Sequence, residues 1–286
     1  MSCSWENRGK EWSTLLKLNK PQWIFYCSET FETKTIEQYI YNLNLIYTEY
    51  DIHLTSIKNK ALMSNPVKLT FIYEVFDPIL VSELPNTEFS YLNTEPLNLE
   101  LRLSHLLSIL KEYPNFIYYD YSTSNLKLLE EKNITLKNKH YLPYKCDEQE
   151  LARLIYLNQT TEKKYDFGII IGAGGTHATR REKVIDVLKK NYSVHTIVGW
   201  GDDRDTELAK CNYILNLHGQ HYCFESNIFE HIRCDRLLEA GFNVLSETSY
   251  KLDQSFIDKY KNLTIIHYDD FFNESLIHQL CSSKVK

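Results

Sequence analysis

Short runs of β-branched and aromatic residues alternate along this chain with stretches whose apolar positions recur every three or four residues. In the first half the runs lie at 23–27, 68–76, 89–93, 116–121 and 140–144, with a weaker one at 53–57. Between them, helical spacing predicts helices over 35–47, 99–113 and 122–132, the last with Ser122 and Ser124 available as N-caps. The second half is clearer, with strands predicted at 167–172, 194–199, 213–218, 243–247 and 263–268. Its helices are predicted at 178–191, 205–211, 226–241, 253–260 and 269–280, after a connecting helical pattern over 148–159. Strand and helix alternating through short loops make an α/β chain with parallel sheets, whose ligands should lie at the carboxyl ends of the strands. Two such series in tandem predict two Rossmann-like domains facing across a cleft.

Punctuation divides the chain in the same way. All seven prolines precede residue 144, and eight of the nine glycines follow residue 167. The expected organisation is an N-terminal arm (1–20), a first Rossmann-like domain (21–147) and a second (148–286). Net charge changes the picture only by exclusion. At −6, the chain is a poor partner for nucleic acid or anionic membranes, although a local basic pocket for a phosphate stays open. No apolar run approaches the ~18 residues of a spanning helix. The first twenty residues lack an apolar signal core, so a cytoplasmic protein is expected (host cytoplasm or virion for a viral chain). Seven scattered cysteines match no zinc spacing and read as reduced thiols.

The segment from Gly172 to Arg181 follows an apolar strand and opens a helix. Gly172, Gly174 and Gly175 permit close backbone approach, Thr176 adds a hydroxyl, and the helix N-terminus presents free N–H groups. Arg180 and Arg181 stand in the first turn, where cations oppose the helix dipole, so an anion nearby is expected. A phosphate or diphosphate is the natural guest. The spacing fits neither the dinucleotide fingerprint nor the P-loop, and the alternative is a tight turn with a surface arginine pair.

Other strand ends carry further candidates. Trp200, between two glycines, reads equally as a stacking platform for a base or as a cover for the core edge. His218 and His221 lack a metal-ligand pattern, and hydrogen-bond donation to an oxyanion or sugar hydroxyl is the better reading. Glu230, Arg233 and Arg236 recur at i, i+3 and i+6, so they read either as an exposed ion-pair ladder or as hydroxyl and phosphate contacts. Glu247 ends the next strand as a loop cap or another hydroxyl acceptor.

These segments resemble a known family. The glycine loop with its Arg-Arg helix start, the Gly-Trp-Gly strand end, Asn216-Leu217-His218, and the run from Phe229-Glu230 to Ser246-Glu247 look like the donor domain of GT-B glycosyltransferases. The likeness is to CgeB-like and group-1-like proteins of bacterial surface-polysaccharide clusters and large DNA viruses. In the first half, the segments 92–97, 119–125 and 141–144 resemble the same family's N-T-E-Q-L, D-Y-S-x-x-N and L-P-Y motifs. The resemblance implies a metal-independent transferase moving a sugar from a nucleotide-sugar to a hydroxyl acceptor such as a glycan. No cofactor is expected beyond the nucleotide-sugar co-substrate. It implies that Arg180 or Arg181 contacts the diphosphate, Glu230 the donor, and Arg233 or Arg236 the leaving group. The paired glutamates of retaining relatives are absent in register, where Ile228 and Arg236 stand instead. If the reaction inverts, Glu95 and Asp120, each at a predicted strand end, are the candidate bases, with turn or cap duty as their alternative. The competing readings are a nucleotide-sugar epimerase or phosphorylase and a non-catalytic module that binds a nucleotide or glycan.

Overall fold

A computed structural model of the chain describes residues 20–27, 49–56, 67–72, 76–94, 100–146, 148–171, 179–199, 201–218 and 227–283, with Ile40, Leu43, Tyr47 and Leu97 besides. The chain divides into two compact units. One holds the first sheet up to Glu95, with Glu100–Tyr121 and Lys132–Lys145; the other holds Pro96–Leu99, Ser122–Glu131 and everything from Cys146.

In the first unit, β1 (Gln22–Cys27), β2 (Asp51–Ser56), β3 (Lys68–Ile72), β4 (Glu88–Asn93), β5 (Ile117–Asp120) and β6 (Lys139–Tyr141) form one sheet in the order β2-β1-β3-β4-β5-β6. Every pairing is parallel. Such strands are buried along their length, as Trp23 to Tyr26 and Phe71 and Ile72 are. Their few inward polar groups satisfy one another: Trp23 Nε1–H donates to Thr70 Oγ1 at 2.8 Å, and Thr70 shares a hydrogen with Ser90 at 2.6 Å. A short helix that periodicity did not predict, α1 (Pro78–Glu83), follows β3. Asp77 caps it by accepting from the Ile79 and Leu80 N–H groups, and Pro78 opens it. Helix α2 (Glu100–Glu112) precedes β5.

Helix α3 (Thr123–Glu131) comes between β5 and β6 in sequence, yet it groups with the second unit. Thr123 and Lys127 both donate to Asp253, and Glu131 meets Lys251 and Tyr250.

The second unit follows α4 (Glu148–Thr160) with β7 (Tyr165–Ile170), α5 (Thr179–Leu188), β8 (Val194–Ile197), α6 (Gly201–Ala209), β9 (Cys211–Asn216), α7 (His231–Glu239), β10 (Val244–Glu247), α8 (Gln254–Lys259) and β11 (Leu263–Ile266). Its sheet is ordered β11-β10-β9-β7-β8 and is also parallel throughout. Side chains alternate between two cores. Val184, Ile185 and Leu188 of α5 pack on one face with Ile169 and Leu215. Leu154, Leu208, Leu237 and Leu238 of α4, α6 and α7 pack on the other with Ile214 and Val244.

The helix expected over 269–280 is two pieces, a 3-10 turn (Tyr268–Phe272) and α9 (Glu274–Ser283), because Asn273 caps the second through the Leu276 N–H at 3.2 Å. Helix α7 begins at His231, five residues later than expected, with Glu230 as its N-cap. It ends at Gly241, whose φ of 79° suits glycine, with Phe242 N–H donating to Leu237 O at 2.9 Å.

Close strand packing makes one substitution informative. A Cβ added at Gly168 in β7 would lie 2.6 Å from Cys211 Sγ and 3.1 Å from Cys211 Cβ on neighbouring β9. Gly168→Ala should therefore destabilise the protein by about 1–3 kcal/mol through overpacking. Urea unfolding would measure this, and Cys211→Ala in the same chain should recover part of the loss. A cost for Gly168→Ala below about 0.5 kcal/mol, the ordinary range of surface changes, would contradict the packing.

Candidate functional site

The order β11-β10-β9-β7-β8 has its topological switch between β7 and β9. From β7 the chain turns toward β8 through α5 on one face; from β9 it turns toward β10 through α7 on the other. Right-handed crossovers require this arrangement. Both helix N-termini therefore arrive at the carboxyl rim of the same two strands, where doubly wound sheets hold their ligands.

The residues at that rim are Arg180 and Arg181 in the first turn of α5, Leu217 and His218 after β9, Glu230 and Arg233 at the start of α7, and Glu247 at the end of β10. Arg180 is 7% exposed and grips Glu247 through two guanidinium nitrogens. The Tyr268 ring covers that guanidinium at 3.5 Å, and its hydroxyl donates to the Arg180 carbonyl at 3.1 Å. Glu247 also accepts from the His218 backbone N–H at 3.2 Å. Both oxygens of the Glu247 carboxylate thus have partners within the protein, and the ion pair ties Arg180 to the end of β10.

Arg181 is placed differently. Its Nε–H donates to the Leu217 carbonyl at 2.9 Å. Burial, and then the charge of Arg233, lower its pKa to about 10 against the opposing pull of Glu230 and Glu247. Arg233 is half-buried, and its guanidinium has no hydrogen-bond or ion-pair partner among the described residues. Two guanidinium groups that repel one another, with no ion-pair partner among the described residues, form a positive region that an anion would neutralise.

Arg236 belongs elsewhere. Although it is only one turn beyond Arg233, its side chain is buried against Asp205 of α6 at 2.5 Å and Glu150 of α4 at 3.0 Å. Arg153 also pairs with Asp205, and Arg204 lies 3.6 Å from it. Three residues of helix rotate a side chain by about 60°, so six residues separate Arg236 from Glu230 by some 120°. The i, i+3, i+6 series is therefore divided between two faces of the helix.

Of the two candidate bases, Glu95 lies outside the described residues, as do Gly172, Gly174, Gly175, Thr176, Trp200 and His221. Asp120 is described and fully buried. It accepts from Asn93 Nδ2 at 2.9 Å and from the Tyr118 hydroxyl. Burial, and then Asp120 itself, raise the Tyr118 pKa well above the ordinary phenol, so that hydroxyl keeps its proton and donates it. Asp120 fastens β4 to β5, in keeping with the structural alternative to its reading as a base. The next residues of the two first-half motifs are joined likewise, Asn125 Oδ1 accepting from Leu97 N–H at 3.0 Å.

Sequence reasoning missed three parts of the rim: the Leu217 carbonyl under Arg181, the Thr248–Ser249 pair beside His218, and Tyr268 over Arg180. All lie within two residues of a strand's carboxyl end, a position that would have found them. Among the described residues, no group of three His, Cys, Asp or Glu side chains could hold a metal ion, and no helix is long and apolar enough to cross a membrane.

No family model matches the chain. It is similar to several uncharacterized proteins of Acanthamoeba polyphaga mimivirus. One is 28% identical over 249 residues, which are 86% of this chain and 31% of that protein. A second is 28% identical over 247 residues, 84% of this chain and 73% of the relative. A third is 33% identical over 153 residues, 52% of this chain and 16% of the relative. The chain thus spans about a third of the first relative's length.

Proposed function

We propose that this protein is a glycosyltransferase of the GT-B kind, moving a sugar from a nucleotide-sugar to a hydroxyl acceptor, with the second unit holding the donor. One observation carries the reading. Arg181 and Arg233 repel one another electrostatically, and neither has an ion-pair partner among the described residues, at the switch point to which α5 and α7 bring their N-termini. When an acceptor hydroxyl attacks the anomeric carbon, negative charge grows on the departing nucleoside diphosphate. Fixed guanidinium and N–H groups stabilise that charge without reorganising, and no obligatory metal is required of them. If the reaction inverts, Glu95 is the candidate base that remains in the first half. The burial of Asp120 favours one competing reading, a non-catalytic module that binds the nucleotide or a glycan.

Thermal unfolding against UDP, GDP, ADP, CMP and their sugar conjugates tests the donor site. A ligand at a hundred times its dissociation constant adds about 2.7 kcal/mol, a shift of roughly 5–10 °C. One base should raise the midpoint selectively, and EDTA should leave the shift intact. No shift with any nucleotide would sink the donor site. A shift without turnover on any acceptor, or of the donor alone, would leave the binding module as the reading.

A further inference from the structure

His218 was expected to donate a hydrogen bond to an oxyanion or sugar hydroxyl, and the hydrogen positions around it point the other way. Its Nε2 lies 3.3 Å from the Thr248 carbonyl and 3.2 Å from Ser249 Oγ. A carbonyl oxygen only accepts. The Ser249 hydroxyl directs its own hydrogen to the Glu247 carbonyl at 3.3 Å, so toward His218 it too presents a lone pair. Both neighbours therefore require the hydrogen on Nε2. Burial lowers the pKa of the ring and keeps it neutral, which leaves Nδ1 as a bare lone pair. No group among the described residues donates to that nitrogen, and the residue's backbone N–H is already occupied by Glu247.

His218 thus has no N–H left for a phosphate, and an anionic oxygen facing Nδ1 would be repelled. A hydroxyl would not. The residue lies directly after Leu217, whose carbonyl anchors Arg181, and Glu230 acts electrostatically on its ring. We propose that His218 reads a hydroxyl of the donor sugar, accepting its hydrogen at Nδ1 beside the diphosphate held by Arg181 and Arg233. This assignment rests on the donor-site reading above. It separates two tasks within one rim: arginines for the anion and a neutral imidazole for the sugar.

Two conservative variants isolate the Nδ1 position. His218→Asn offers an amide oxygen near where Nδ1 stood, while His218→Gln keeps a donor near Nε2 and leaves nothing at Nδ1. Calorimetric titration would use the nucleoside diphosphate that stabilises the wild type, and its hexose conjugate. Loss of one hydrogen bond should reduce the conjugate's advantage over the bare diphosphate about tenfold in His218→Gln. Affinity for the bare diphosphate should stay within about twofold in both variants, the spread ordinary for an untouched contact. His218→Asn should retain most of the advantage. On the wild-type protein, a set of monodeoxy sugar conjugates should contain one that binds about tenfold more weakly, and that difference should vanish in His218→Gln. An unchanged advantage in His218→Gln, a parallel loss for the bare diphosphate, or a flat deoxy series would overturn the inference while leaving the donor site standing. Failure of the wild type to bind any nucleotide would overturn both.

Discussion

Asp205→Ala is expected to lower the stability of the second unit by about 3–5 kcal/mol, the usual cost of removing one partner from a buried ion pair. Asp205 is fully buried, and three arginines converge on it: Arg236 from α7, Arg153 from α4 and its neighbour Arg204. Burial alone would raise the Asp205 pKa; Arg236, Arg204 and Arg153 together outweigh that and hold it below 3.8. Without the carboxylate, Arg236 keeps its pairing with Glu150 and Arg153 its pairing with Asp202, but the buried positive charge that Asp205 balanced is left uncompensated. At roughly 2–4 °C per kcal/mol for a chain of this size, the thermal midpoint should fall by about 6–20 °C. The pH dependence has a definite sign. A carboxyl whose folded pKa lies below its unfolded value stabilises fully above the unfolded pKa and loses its contribution as pH falls through the folded one. The stability difference between wild type and Asp205→Asn should therefore be constant above about pH 5 and shrink below 3.8. A cost under about 1 kcal/mol for Asp205→Ala, typical of an exposed pair, would show the cluster to be solvated.

That cluster marks the boundary of what the sequence could tell. The strands of the second half were legible because a parallel sheet buried on both faces needs near-continuous apolar runs such as Tyr213 to Leu217. Helix starts were less so. Helix α6 begins at Gly201, four residues early, through a wholly polar first turn (Asp202, Asp203, Arg204) that no apolar period announces. The rim was legible from topology alone, and it does gather Arg180, Arg181, His218, Glu230, Arg233 and Glu247. Partner choice was not legible. Arg180 and Arg236 look like Arg181 and Arg233 in a string, and what distinguishes them is a carboxylate 67 or 31 residues away. The burial of Asp120 had a signal in plain view, since it shares the inward phase of β5 with Tyr118.

Arg233→Ala is expected to remove most of the nucleotide-dependent stabilisation while leaving the unliganded protein as stable as the wild type, or slightly more so. Its guanidinium has no hydrogen-bond or ion-pair partner among the described residues, and its charge helps to lower the pKa of Arg181. Truncating it relieves like-charge repulsion and breaks no hydrogen bond among the described residues. A charge-assisted bond to a phosphate contributes about 1.5–3 kcal/mol, so nucleotide affinity should drop by about 10- to 150-fold. Arg181→Ala should weaken binding as much but also cost stability of about 1 kcal/mol, because it strips the Leu217 carbonyl of its donor. Arg233→Lys separates charge from shape: a point charge retains the long-range attraction but not the planar fork, and recovery should be partial. Titrations at two salt concentrations, with unfolding midpoints of each unliganded variant, complete the comparison. A rim that keeps Arg181 and Arg233 for packing alone would show the opposite pattern, a lowered midpoint in Arg233→Ala with nucleotide affinity intact. The sign of that one difference decides whether the rim holds an anion.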